Sequence, residues 1–287
     1  MKNLQFLFLF FLVLSCGSTK NSQSKEPNKI PKSKQMDTLL RGEKHVKTTN
    51  NSPLSTEPPK LIKQDTRFNN SNAESFNHNS WNKLLQAHVS EKGHVDYYGF
   101  KTNRFELLNY IQLLSKNRPT ESWNKETILA YWINAYNAMT IDLILRHYPL
   151  KSIKDIKNPW DQRFWKLGDK WYNLNEIEHD ILRNMNEPRI HFAIVCASVS
   201  CPSLQNKAYT PDYIENQLTQ ATKAFLNDES KNSISENNLE LSKIFQWFGK
   251  DFKQNGTLID FLNTYSDINI SAKAKKHFKD YNWDLNN

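Results

Sequence analysis

Glycine is scarce in this chain, seven among 287 residues. Loops that cradle phosphate need backbone freedom and close approach that glycine supplies. Both glycine-rich nucleotide patterns are missing, so nucleotide chemistry has no motif to rest on. Cysteine is scarcer still, with three in all, which excludes a disulfide-stapled scaffold. The apolar run near the N-terminus, Leu4 to Leu14, falls short of the ~20 residues of a spanning helix. Acidic residues are outnumbered 30 to 38, but the surplus is not spread evenly. Gly17 to Ser75 hold 11 basic and 6 acidic residues, which leaves only about +2 for residues 76–287. The basic character belongs to a tail rather than to a domain, so no nucleic acid partner is expected.

The ends of that tail are informative. Lys2, the short apolar run and Val13-Leu14-Ser15-Cys16 have the charged start, apolar middle and small-residue end of a secretory signal. A Cys directly after the small residue resembles the bacterial lipobox. The expected organisation is a signal peptide over 1–15, a lipidated Cys16 heading a disordered basic tether over 16–75, and a globular domain over 76–287. The expected partner is therefore a membrane, reached through the lipid on Cys16. The expected location is the bacterial envelope, with the outer membrane as the anchoring bilayer and the domain in the periplasm or at the cell surface.

From Phe76 onward Trp, Tyr, Phe and Leu become frequent, enough for one core in about 210 residues. Asn124 to His147 is apolar on nearly every face, as a central buried helix must be. It includes Trp132 and two amides, Asn134 and Asn137, three residues apart. Buried amides must find partners, either in loops that they tie to the core or on a substrate. Two aromatic runs flank Gly168-Asp169 and predict a hairpin. Asn173 and Glu176 predict a capping box for a helix over Leu174 to Arg183, carrying Glu178 and His179. Arg189 to Cys196 reads as an inner strand, with Ile190, Phe192, Ile194 and Cys196 on one face and Arg189 and His191 on the other. Later segments predict a helix after Thr210-Pro211, a strand at Leu239 to Leu241, a short helix capped by Ser242 and another from Thr257. The fold class is α+β: a mostly helical single domain around a buried central helix, with a small antiparallel sheet.

The blocks YWINAYNAMTIDLIL, LGDKWYNLNEIEHDILR, EPRIHFAIVCASVSCPSL, AYTPDYIENQL, SKIFQWFGKDF and YNWDLN resemble, in that order, Domain of Unknown Function family 547. The resemblance implies a fold family and motif positions, with no reaction attached. One departure is Cys-Pro-Ser at 201–203, where the family more often has Cys-Pro-Pro.

The chemistry rests on His191 to Leu204, HFAIVCASVSCPSL. Cys201, in a polar loop before Pro202, is the expected nucleophile of a cysteine-dependent hydrolase or acyl transferase. His179 or His191 would be its base, and Glu178 or Asp161 would orient the imidazole. Asn134, Asn137, Trp132 and Arg189 are the residues expected to contact a peptide or glycan of the envelope. The alternative is a non-enzymatic binding or structural module, using aromatics such as Trp132, Trp160, Trp165 and Trp171, with Cys196 and Cys201 as core residues or a disulfide. The C-x4-C spacing is neither a zinc-finger nor a thioredoxin-like pattern. No metal and no cofactor are expected.

Overall fold

Among the described residues three helices precede the most apolar segment, and each buries one stripe. In α1 (Asn79–His88) the stripe is Trp81, Leu84 and Leu85. In α2 (Tyr97–Thr102) it includes Tyr97 and Phe100, and in α3 (Arg104–Lys116) Leu107, Tyr110, Ile111 and Leu114. They pack around α4 (Lys125–His147), whose cap is Asn124, accepting the Thr127 N–H. In the computed structural model, which describes residues 76–287, 18 of the 23 residues of α4 are buried. By length and composition α4 is apolar enough to cross a membrane, yet 94% of its most apolar window lies inside the fold. It is the core helix that the sequence predicts. Its one buried acid, Asp142, accepts from Arg104, Arg146 and the Trp165 indole, so a charge at the centre is fully partnered.

Residues 165–172 form the predicted hairpin, β1 (Trp165–Leu167) against β2 (Lys170–Tyr172), antiparallel. Its turn uses Gly168 at φ 58, a left-handed conformation that glycine adopts without steric cost. The Asn173–Glu176 capping box then starts α5 (Leu174–Glu176). The helix does not stay α: Ile177–Leu182 widen into π geometry and Arg183–Met185 close as a 3-10 turn.

The strand expected over Arg189 to Cys196 does not form. Pro188 opens a 3-10 helix over Pro188–Phe192, and the following backbone bonds to a side chain instead of a neighbouring strand. Asn137 donates to the Ala193 carbonyl and accepts the Val195 N–H. An amide that mimics a ladder partner removes the need for a ladder. Asn134 does the same for Tyr209, through both its carbonyl and its N–H.

The second half follows its predicted signals more closely. Thr210-Pro211 lead into α6 (Ile214–Leu226), which buries Ile214, Leu218, Ala221 and Phe225. Strands β3 (Ser233–Ile234) and β4 (Asn238–Leu241) pair antiparallel, while β5 (Lys275–Phe278) lies parallel to β4. The single small antiparallel sheet is thus two sheets, one of them mixed. A parallel neighbour requires a crossover, here supplied by α7 (Ile244–Trp247) and α8 (Leu258–Tyr265). Phe192, Phe225, Phe245 and Phe252 build a second core between these elements. The chain end then returns across the first core. Val199 and Ser200 donate to the Asp284 and Asn282 carbonyls, and Val95 donates to Asn286. This stitching fixes the 196–203 loop and carries Tyr281 and Trp283 beside it.

Candidate active site

Several separate stretches meet at one cleft of about 340 Å³, among them the turn at Trp160 and Asp161. Helix α4 contributes Tyr136, and the π turn contributes Glu178 and His179. The 3-10 helix opened by Pro188 contributes His191, and the loop after it contributes Cys196 and Cys201. The C-terminal region adds Trp247, Phe248, Tyr281 and Trp283. The π turn matters to this convergence, because such widened turns occur frequently at functional sites.

The two sulfurs are 2.7 Å apart, and the Cys196 N–H also points at Cys201 Sγ, at 2.7 Å. Ala197, between them in the chain, is fully buried at φ 57. A non-glycine residue in the left-handed region costs about 1–2 kcal/mol, and it reverses the chain so that Cys196 faces Cys201. Cys196 is half-buried, Cys201 buried. The hydroxyls of Tyr281 and Ser198 each stand 3.2 Å from Cys196 Sγ. Burial opposes ionisation of Cys196, but the hydrogen bonds from Cys201, Ser198 and Tyr281 outweigh it and pull its thiol below the ordinary range. Burial pushes the Cys201 thiol up, and its neighbour Cys196 pushes it further. Of the pair, Cys196 loses its proton first.

The polar wall is wired through Asp251. Arg183 grips both Asp251 oxygens, at 2.6 and 2.8 Å, and His191 Nε2 meets Oδ2 at 2.8 Å. Burial would raise the Asp251 carboxyl, but Arg183 and His191 hold it well below the carboxylate range. An ionised Asp251 can only accept, so His191 donates through Nε2 and keeps Nδ1 as a bare acceptor. His179 is set the other way. Its Nδ1 lies 2.7 Å from Arg183 Nη1, and a guanidinium has no lone pair to give. His179 therefore accepts at Nδ1, and its neutral ring carries the proton on Nε2. Burial lowers the affinity of both imidazoles for a second proton, helped at His179 by the Arg183 charge. Glu178 accepts from Tyr136 at 3.0 Å, and burial raises its carboxyl to about 7.

Cys201, His179, His191 and Glu178 therefore share one cleft, and so does Asp161. Neither sulfur has a hydrogen bond to an imidazole among the described residues. Asn134, Asn137, Trp132 and Arg189 do not line it. The two amides are spent on loop backbone, Trp132 packs against Tyr131 and Tyr172, and Arg189 is bound by Glu187, Glu215 and Thr219. Of the other aromatics weighed for a binding surface, Trp160 lines the cleft, Trp165 is core, and Trp171 is exposed on the hairpin.

Residues 120–226 match the family model described as "Protein of unknown function, DUF547". Over that stretch the chain is similar to DUF547. No curated protein and no solved structure matches the chain. The stretch matched to DUF547 holds both sulfurs, both histidines, Glu178 and Tyr136. Trp247, Phe248, Tyr281 and Trp283 come from beyond it, as does Asp251 behind His191, so the cleft is completed by residues outside the match.

Proposed function

We propose that this cleft is the active site of a cysteine-dependent hydrolase or acyl transferase, with Cys196 rather than Cys201 as the attacking sulfur. The observation that carries the reading is the placement of Cys196. It is the less buried of the two thiols, has the Tyr281 and Ser198 hydroxyls 3.2 Å from its sulfur, and shares its cleft with His191, which Asp251 holds. In this reading His191, oriented by Asp251, takes a proton at Nδ1. His179, fixed in the opposite tautomer, offers its Nε2–H to a developing oxyanion. Glu178, with an affinity for protons near neutrality, protonates the leaving group.

The test is to trap the acyl-enzyme. Full-length protein would be incubated with activated thioester and p-nitrophenyl ester acyl donors and analysed by mass. A hydroxylamine-labile adduct on Cys196, lost in Cys196→Ser and kept in Cys201→Ser, supports the reading. Acylation on neither cysteine, or on Cys201 alone, rejects it.

One observation favours a second reading, a non-enzymatic envelope module with a structural disulfide: the sulfurs touch, and Cys201 is buried. In that case native protein yields no free thiol and no adduct. For either reading we propose that the protein is exported and held at the envelope by lipid on Cys16, facing peptide or glycan partners there. Metabolic labelling with an alkyne-tagged palmitate checks this, because Cys16→Ser should abolish incorporation.

A further inference from the structure

Acyl transfer needs a base at the sulfur, and the contacts around the cysteines show something else: a second sulfur. Both cysteines line the cleft, Cys196 partly exposed and Cys201 buried, sulfur against sulfur. The turn at Ala197 and the hydrogen bonds from Val199 and Ser200 to the chain end hold the loop in that shape. The mouth is aromatic, with Trp247 half-exposed, stacked on Trp283 and tilted against Tyr281. We infer that Cys196 and Cys201 form a dithiol that reduces disulfides carried on small or flexible groups able to enter the cleft, with Cys196 attacking and Cys201 resolving. This rests on the reading above only in taking Cys196 as the attacking sulfur.

The bookkeeping closes within the pair. Cys196, as thiolate, attacks one sulfur of R–S–S–R′. The bond to Cys196 forms, the S–S bond breaks, and R′–S⁻ leaves to take up the proton that Cys196 released. Cys201 then gives up its proton and attacks Cys196 Sγ. The Cys196–Cys201 bond forms, the bond to R breaks, and R–S⁻ is protonated. Two electrons pass from the dithiol to the substrate, and a second thiol-bearing molecule restores the dithiol by the reverse exchange. The asymmetry suits this order. An attacking thiol must be accessible and ionise first, while a resolving thiol needs only contact with the mixed disulfide. The Tyr281 hydroxyl on Cys196 Sγ, itself accepting from Ser198, stabilises the thiolate each time it is the attacker or the leaving group.

The test uses the full chain carrying Cys16→Ser, so that only the pair is counted. The protein would be reduced, freed of reductant and mixed with 2,2′-dithiodipyridine, with thiopyridone followed by absorbance and adducts by mass. The inference expects two thiopyridones per chain with no retained adduct. Adding Cys201→Ser should give one thiopyridone and a stable pyridyl adduct on Cys196. Adding Cys196→Ser should slow release by roughly tenfold or more, since the thiol left behind is buried and less ionised; this arm matters because Cys201 also borders a second cavity with Lys92, His94 and Lys231. A pyridyl adduct that persists on Cys196 with both cysteines present overturns the exchange but leaves Cys196 as a reactive thiol, so the acyl reading stands. First labelling on Cys201 overturns both. So does release of thiopyridone only after unfolding in guanidinium.

Discussion

Glu178 offers a sharp prediction because its carboxyl is buried and its main partner is neutral. Burial raises it from 4.5 to about 7, against the hydroxyl of Tyr136, which favours the ionised form. A carboxyl raised on folding binds its proton more tightly in the native state. Native protein therefore holds more protons than unfolded protein between the two values, and stability falls as pH rises through that window. Below about pH 4.5 the group adds no penalty, and above about pH 7 the whole penalty is present. The interval corresponds to about 3 kcal/mol. Glu178→Gln removes the charge and keeps a carbonyl to accept from Tyr136. At pH 8 the variant should be more stable than the parent by up to about 3 kcal/mol, or roughly 6–12 °C in Tm for a body of this size. At pH 4.5 the two should melt together. Thermal unfolding followed by circular dichroism from pH 4.5 to 8.5 reads the difference, and titrations of His179, His191 and Asp251 common to both proteins largely cancel. A Tm difference that is independent of pH, or largest at the acid end, refutes the reasoning.

Three further outcomes follow from the packing. Asn137→Ala orphans the Ala193 carbonyl and the Val195 N–H in the interior, so it should cost about 2–4 kcal/mol, measured by urea unfolding. Asp142→Ala strips the common partner from Arg104, Arg146 and the Trp165 indole, with a loss of about 3–5 kcal/mol that should also shift tryptophan emission. Asp251→Asn leaves the Arg183 guanidinium facing a neutral acceptor. Because both side chains are partly exposed, 12% and 28%, the expected loss is only about 2 kcal/mol, again by urea unfolding, together with a changed pH profile of Cys196 alkylation.

Much of this architecture was legible in the sequence because local signals agreed with global ones. The all-round apolar helix, the Gly168 hairpin, the Asn173–Glu176 box and the Pro211 start each depend on a few neighbouring residues. The segment at Arg189 to Cys196 was misleading for a physical reason. Its β-branched, apolar composition matches a strand, but Asn137, more than fifty residues away, takes the backbone bonds a ladder would need. Local periodicity carries no trace of that. The site shows the same division. Cys201, His179, His191 and Glu178 stood out by residue type and fall in one cleft. Asp251, Arg183 and Tyr281 passed unnoticed as site residues, since nothing in their spacing reveals that the chain end folds back over the cysteine loop. The blocks FQWFGKDF and YNWDLN were the available signal for Asp251 and Tyr281, and LGDKWYNLNEIEHDILR for Arg183. Cys196 read as core because a strand face would have buried it; once that strand is a turn closed by left-handed Ala197, the same residue faces the cleft.

The central claim is that Cys196 is the reactive thiol of the pair. The most direct measurement is alkylation of native, reduced, full-length protein by iodoacetamide across pH 5 to 9, with each cysteine quantified by peptide mass. The account predicts that Cys196 labels first and still labels below pH 7, while Cys201 stays protected until the protein unfolds. Faster labelling of Cys201, or protection of both until unfolding, contradicts it.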